Sequence, residues 1–160
     1  MTALFKKPKN RLDEVKVRAP DLNIEQPLGR FLITLFRLFE DELIAGLRQL
    51  KYKNVTTTDF NVLRFIDPQG IQSVEIAKLA GVSKQAMSRQ ILQLEKRGFI
   101  LRRQDPLDSR AQLVCFSKRG AKLIEDSISI IESIEKRYSK ILGEKELDHL
   151  KKQIKKLMKI

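Results

Sequence analysis

The sequence predicts a mainly α-helical fold carrying one small β-hairpin, and three observations lead there. Apolar residues recur at three- and four-residue spacing over most of the chain; two short strand-like runs flank a turn-rich heptapeptide; and 7 Gly and 5 Pro in 160 residues leave the helical runs largely uninterrupted. A hydrophobic share of 42% suits one globular core rather than a disordered or fibrous chain.

Residues 1–26 contain Pro8 and Pro20 and no sustained apolar period, so they read as a basic, mobile arm. From Pro27 the pattern changes. Leu28, Phe31, Leu32, Leu35, Phe39, Leu43, Leu47 and Leu50 fall on one face of a long helix with Pro27 at its first turn, giving a scaffold helix over 27–52. Thr56-Thr57-Thr58-Asp59 fits a capping box before Phe60, Leu63 and Ile66, and that second helix ends near Asp67-Pro68-Gln69-Gly70. Ser73 is read as the cap of a third helix with Ile76, Ala77 and Ala80 inward, closed by Gly81. Ser83 caps a fourth with Met87, Ile91 and Leu94 inward, ending at Gly98. Residues 99–103 and 112–116 are strands joined by Gln104-Asp105-Pro106-Leu107-Asp108-Ser109-Arg110. Ser117 caps a fifth helix running through Leu123, Ile124, Ile128, Ile131, Ile134, Tyr138 and Ile141 to Gly143. Glu144 to Ile160 forms a sixth, with Leu147, Leu150, Ile154 and Leu157 on one stripe and the lysines away from it. Two short helices joined through Gly81 and followed by a hairpin make a winged helix-turn-helix over 55–117, flanked by N- and C-terminal (118–160) dimerisation helices.

Charge narrows the partner. The chain holds 32 basic and 20 acidic side chains, a net +12, and half of that excess lies in residues 71–120. Such a balance points first to a polyanion, nucleic acid ahead of an acidic membrane surface, although a solvated basic face is the plain alternative. A single Cys excludes an internal disulfide, and no apolar run approaches the ~18 residues of a membrane span. With no secretory stretch in Met1 to Lys16 either, the expected compartment is the cytoplasm.

A helix in the major groove needs one apolar face to seat it and an opposite face of donors and cations. Lys84, Gln85, Ser88, Arg89 and Gln93 lie opposite Met87, Ile91 and Leu94, with Ser83 at the start. Gln suits adenine, Arg suits guanine, and Ser and Lys suit phosphate. Arg103 on the hairpin and Arg110 at its tip are the wing's candidate DNA contacts, Arg110 by reaching a minor groove with Asp108 orienting it. The alternatives are an ordinary solvated amphipathic helix and an Asp108–Arg110 pair that only stiffens the turn.

These residues also resemble a family, bacterial regulators of the multiple-antibiotic-resistance (MarR) type, over roughly Leu28 to Ile160. The resemblance rests on Val55-Thr56-Thr57-Thr58-Asp59-Phe60-Asn61-Val62-Leu63 and on Glu75-Ile76-Ala77-Lys78-Leu79-Ala80-Gly81-Val82-Ser83. More specific are Leu94-Glu95-Lys96-Arg97-Gly98-Phe99-Ile100, Asp105-Pro106-Leu107-Asp108-Ser109-Arg110 and Val114-Cys115-Phe116-Ser117-Lys118-Arg119-Gly120. Ser109 departs from the family, where a basic residue is common, and Phe116-Ser117 replaces Leu-Thr. The resemblance implies a triangular dimer, built by the first, fifth and sixth helices, whose two winged lobes read one palindromic site on double-stranded DNA. The apolar stripes of those three helices support a homodimer independently, since one lobe cannot cover them; completion of a monomer core is the other reading.

Enzymatic chemistry finds little support: there is no phosphate-binding Gly-rich loop, no metal-ligand spacing and no cofactor motif. His149, the only histidine, has no nucleophile near it in sequence, and Cys115 reads as a plain strand residue. Peroxide-sensing members of the family carry a cysteine near the start of the first helix; this chain has none there. The expected function is a dimeric, sequence-specific transcription regulator modulated by a small, aromatic effector held near Phe31, Phe36, Phe39, Phe60 and Phe65, residues that also suit a core. The alternative is an architectural nucleic-acid binder that holds phosphates indiscriminately.

Overall fold

A computed structural model describes residues 27–108 and 110–159. The expected arm over 1–26 lies outside the described residues, as do Ser109 and Ile160. Among the described residues the fold is mainly helical with a three-stranded antiparallel sheet: α1 (Leu28–Gln49), α2 (Phe60–Leu63), β1 (Ile71–Gln72), α3 (Ser73–Ala80), α4 (Lys84–Lys96), β2 (Ile100–Gln104), β3 (Gln112–Phe116), α5 (Lys118–Leu142) and α6 (Glu144–Leu157).

Local signals placed most boundaries. Pro27 is extended and stands immediately before α1, which can start there because the lost N–H would have had no helical partner. Ser83 and Ser117 each accept the amide three residues on, from Ala86 (3.2 Å) and Gly120 (3.0 Å), and so cap α4 and α5. Gly81 and Gly98 take left-handed backbone (φ 66° and 73°), ending α3 and α4 where a side chain would be strained.

Three expectations are corrected. The second helix is shorter: a 3-10 turn, Thr57–Asp59, leads into α2, and beyond it Phe65 N–H bonds to Val62 O (3.1 Å) and Ile66 N–H to Leu63 O (3.4 Å). Those three-residue bonds tighten the tail, and the Asp67 carboxylate then accepts Gln69 N–H (2.8 Å) to form the turn around Pro68. Ser73 is the first helical residue of α3, not its cap; Gln72 holds that position because β1 runs straight into the helix. The first hairpin strand begins at Ile100 rather than Phe99, one residue later than its apolar run suggests.

Strand β1 was not anticipated. The sheet order is β1-β3-β2, with Ile71 opposite Val114 and Ile100 opposite Phe116. The core gathers Leu47, Val62, Leu63, Ile76, Met87, Ile91, Leu94, Phe99 and Leu123, so α1, the winged lobe and the first turns of α5 share one interior. Gly120 is a steric requirement there, because a Cβ on it would lie 1.8 Å from Phe99 O.

A partly buried ion pair joins the start of the lobe to the end of α4. The Arg97 guanidinium meets Asp59 in a two-point contact, Nη2 to Oδ1 at 2.5 Å and Nη1 to Oδ2 at 2.9 Å. Asp59 also accepts the Thr56 N–H (2.8 Å), one half of the capping box, and the Thr56 hydroxyl (3.2 Å). Arg97 bonds further to Asn54 O and Gln93 O and lies 5.7 Å from the centre of the Phe99 ring. Removing one partner leaves the other charge in a place where water is scarce. Arg97→Ala is therefore expected to cost about 3 kcal/mol, read as a lower urea midpoint at unchanged slope. A midpoint within about 0.5 kcal/mol of the parent would show that the pair does not hold the lobe together.

Candidate nucleic-acid interface

The helix-turn-helix is α3, Gly81 and α4. Ala77 is buried, small enough for the two helices to cross closely, while Met87, Ile91 and Leu94 are fully buried and seat α4 on the core. On the opposite side Lys84, Gln85, Ser88, Arg89 and Gln93 are all exposed. None of their side chains has a hydrogen-bonding or ionic partner among the described residues. Ser83 differs: its hydroxyl is spent on the α4 cap.

Two residues on this face were not singled out from the sequence. Leu92 is 41% exposed, and Lys96 is exposed beside it; with Gln85 and Arg89 they form a stripe at four- and three-residue spacing. That spacing was legible, but an apolar residue on a polar face reads as core until the seat of the helix is known.

The wing is tied to α4 and to the rest of the sheet. Arg102 Nε pairs with Glu95 at 3.2 Å, bridging β2 and α4. Arg103 turns back, its Nη2 donating to Gln69 O at 3.0 Å, so it buttresses the turn before β1 instead of standing free. At the tip Asp105 accepts Leu107 N–H (2.9 Å) and the Gln72 side-chain amide (3.2 Å). Those donors, the backbone one foremost, hold its carboxyl below the usual Asp range. Its contribution to the turn is therefore present at neutral pH and is lost as the pH falls through that lowered value. Asp108 Oδ1 accepts Arg110 N–H at 2.9 Å, acting on backbone rather than on the guanidinium. Arg110 itself is exposed and edges a groove of about 630 Å³ with Arg102, Gln72 and Ser73. Leu107, beside it, is 95% exposed.

Elsewhere the chemistry is sparse. His149 is exposed on α6, with a ring nitrogen 3.0 Å from the Gln153 amide. Cys115 is a half-buried free thiol against Gly70. No group of three His, Cys, Asp or Glu is gathered to hold a metal among the described residues, and no helix there is long and apolar enough to cross a membrane.

A short helix seated on a core, with unpartnered cations and amides outward and a basic hairpin beside it, defines a winged helix-turn-helix. Residues 55–111 match the model of the MarR family. Over that lobe the chain resembles the family. It is 26% identical over 125 residues to the transcriptional regulator HosA of Escherichia coli O111:H-, spanning 78% of this chain and 91% of that one. The reduced form of MarR from E. coli superposes with a TM-score of 0.70 at 28% identity, covering 84% of this chain and 98% of that one. A mutant MarR from E. coli complexed with operator DNA gives 0.66 at 27% identity, covering 82% and 93%.

The tip geometry separates the two aspects of the wing. Because no ion pair joins Arg110 to Asp108, Arg110→Ala should leave the melting midpoint nearly unchanged, within about 0.5 kcal/mol. Asp108→Ala removes the acceptor of a turn hydrogen bond and should cost about 1 kcal/mol. The reverse order in paired thermal melts would mean that the arginine serves the turn.

Proposed function

We propose that this protein is a homodimeric, sequence-specific DNA-binding transcription regulator, with α4 in the major groove and the wing tip in the adjacent minor groove. The observation that carries the reading is the α4 face: Lys84, Gln85, Ser88, Arg89 and Gln93 project from a helix whose other side is locked into the core, and among the described residues no internal partner competes for their side chains. A major groove about 12 Å wide accepts such a helix, and rigid seating lets its side chains discriminate base edges. Arg110, unpaired at the tip, suits the concentrated negative potential of a narrow minor groove. The regulator HosA and the MarR–operator complex support the same reading through likeness.

Assembly follows from apolar surface that one chain leaves open. Phe31 is 56% exposed and Ile141 73%, and no residue of α6 is buried. Leu32, Leu35, Phe36, Ile141, Leu150 and Ile154 line a groove of about 620 Å³ between α1 and the C-terminal helices, which is the surface a second copy would fill. Residues 27–52 and 118–160 are thus assigned to dimerisation and 55–117 to the DNA-binding lobe. An effector site is assigned to a smaller cavity of about 190 Å³ between α1 and α2, lined by Phe36, Phe39, Leu43, Phe60 and Ile131 with Arg64 and Glu40 at its edge. That space suits a single aromatic ring, since apolar cavities of about 150 Å³ take up benzene. Phe31 and Phe65, grouped with these from the sequence, do not line it.

Arg89→Ala is expected to weaken binding to the preferred site by about 1–3 kcal/mol while leaving weak binding to random DNA nearly unchanged. Leu150→Glu should shift sedimentation toward monomer and weaken operator binding with it, because each subunit reads half a site. Equal losses on every sequence after Arg89→Ala would favour the architectural reading, in which the basic surface holds phosphates without preference.

A further inference from the structure

A second basic constellation lies at the C-terminal end of α4, beyond Lys84, Gln85, Ser88, Arg89 and Gln93, and shares only Lys96 with the exposed stripe of that helix. The segment after α1 and the C-terminal end of α4 meet the start of α5 around a cavity of about 360 Å³. Five of the eight residues lining it are cations, Lys51, Lys53, Lys96, Arg97 and Arg119, and none is acidic. Tyr52 and Phe99 form its aromatic floor, with ring centres 6.3 Å apart. Arg119 stacks 4.7 Å from the Phe99 ring centre and donates one Nη1 hydrogen bond to Arg97 O (3.0 Å).

Internal demand accounts for only part of this charge. Arg97 is committed to Asp59, and helix ends such as those of α1 and α4 each offer about half a negative charge to nearby cations. The side chains of Lys51, Lys53 and Lys96 have no hydrogen-bonding or ionic partner among the described residues. Asp126, which accepts the Tyr52 hydroxyl (2.7 Å), is already paired with Lys122 at 3.1 Å. Several positive charges are therefore left facing one small space.

Lys51 adds an independent observation. Lys51 N–H bonds to Arg48 O and Tyr52 N–H to Leu47 O, both at 3.0 Å, the paired bonds of a helix end that normally places glycine at this point. Lys51 instead holds φ 71°, the single non-glycine residue with positive φ among those described. At the matching end of α4 that place is taken by Gly98 (φ 73°). A long cationic side chain is thus kept where the backbone favours none, and it lines the cavity.

We propose that this cavity is an anion-binding site for a phosphate group, separate from the base-reading face of α4. A tetrahedral dianion fits the chemistry: the lysine ammonium groups supply point charges, and Arg119 has guanidinium N–H groups beyond the one it gives to Arg97 O. Its position also gives it leverage. An anion drawing on Arg97 or Arg119 acts on the contacts that fix the end of α4, and so on the pose of the reading helix. Lys84 and Lys96 are twelve residues apart, about 18 Å along the helix, which favours a free phosphate ester over a phosphate of the groove that α4 occupies.

The test uses the purified full chain without DNA and inorganic pyrophosphate as probe, so its outcome does not depend on the DNA-binding reading. The protein has no Trp and two Tyr, so in a Tyr138→Phe background tyrosine emission reports on Tyr52 in the cavity. Saturable binding of one pyrophosphate per chain is expected, weakened at least tenfold in Lys53→Glu and Lys96→Glu and unchanged in the α6 control Lys145→Glu. Lys51→Gly gives the sharper arm: relief of the backbone should raise the melting temperature while pyrophosphate binding falls, a split that a purely structural lysine would not produce. Absence of saturation, or equal losses in Lys145→Glu, would overturn the site. With it established, displacement of pyrophosphate by a DNA duplex would assign the phosphate to the DNA backbone; retention on the protein–DNA complex would assign it to a free ester.

Discussion

The pairing of Asp59 with Arg97 is the constraint on which the placement of α4 depends. Asp59 belongs to the capping turn that opens the lobe, and Arg97 caps the C-terminal end of α4, so one two-point contact closes the lobe across 38 residues of sequence. The surrounding contacts converge on the same place. Arg97 covers Phe99, Phe99 O receives Ser117 N–H at 3.1 Å, and the Ser117 hydroxyl caps α5 while donating to Gly98 O at 2.6 Å. The end of α4, the start of the wing and the start of α5 are consequently one rigid junction, and Gly120 is small because that junction leaves no room for a Cβ. Rigidity at one end frees the other: the first half of α4 can present Lys84, Gln85, Ser88 and Arg89 outward because the C-terminal half is anchored.

Where the sequence was legible, the determinants were local. Ser83, Ser117 and Gly81 carry their information within three or four residues, and so α4, α5 and the turn between α3 and α4 fall where expected. Where it was not, the determinant was distant. Strand β1 is two residues long and exists because Ile71 and Gln72 pair with β3 some forty residues later. The same pairing moved the cap of α3 from Ser73 to Gln72. The second helix looked longer because Leu63 and Ile66 keep a helical spacing, yet the turn held by Asp67 ends it. The Asp59–Arg97 pair left no local trace beyond Asp59 standing in a capping box.

The interface shows the same division. The outward side chains of α4 follow from periodicity, but what each one does follows from its surroundings. Ser83 is consumed by a cap and Arg103 by Gln69 O, while Asp108 holds the backbone of Arg110 rather than its charge. The exposed Leu92 was hidden among residues that would otherwise be assigned to the core. The apolar stripes of α1 and α6 were legible as stripes; that a single chain leaves them open is visible only once the lobe is in place.

The proposed regulator combines a basic α4 face on a firmly seated helix, the exposed Arg110 at the wing tip, and an apolar face that is open among the described residues and is proposed to pair two such lobes. Selection of bound fragments from genomic DNA by the purified protein tests this most directly. Recovery of one two-fold-symmetric sequence is expected, with half-sites about one helical turn apart, preferred by roughly a thousandfold or more over random DNA at physiological salt. Fragments recovered without a shared sequence, in proportion only to their length, would contradict it.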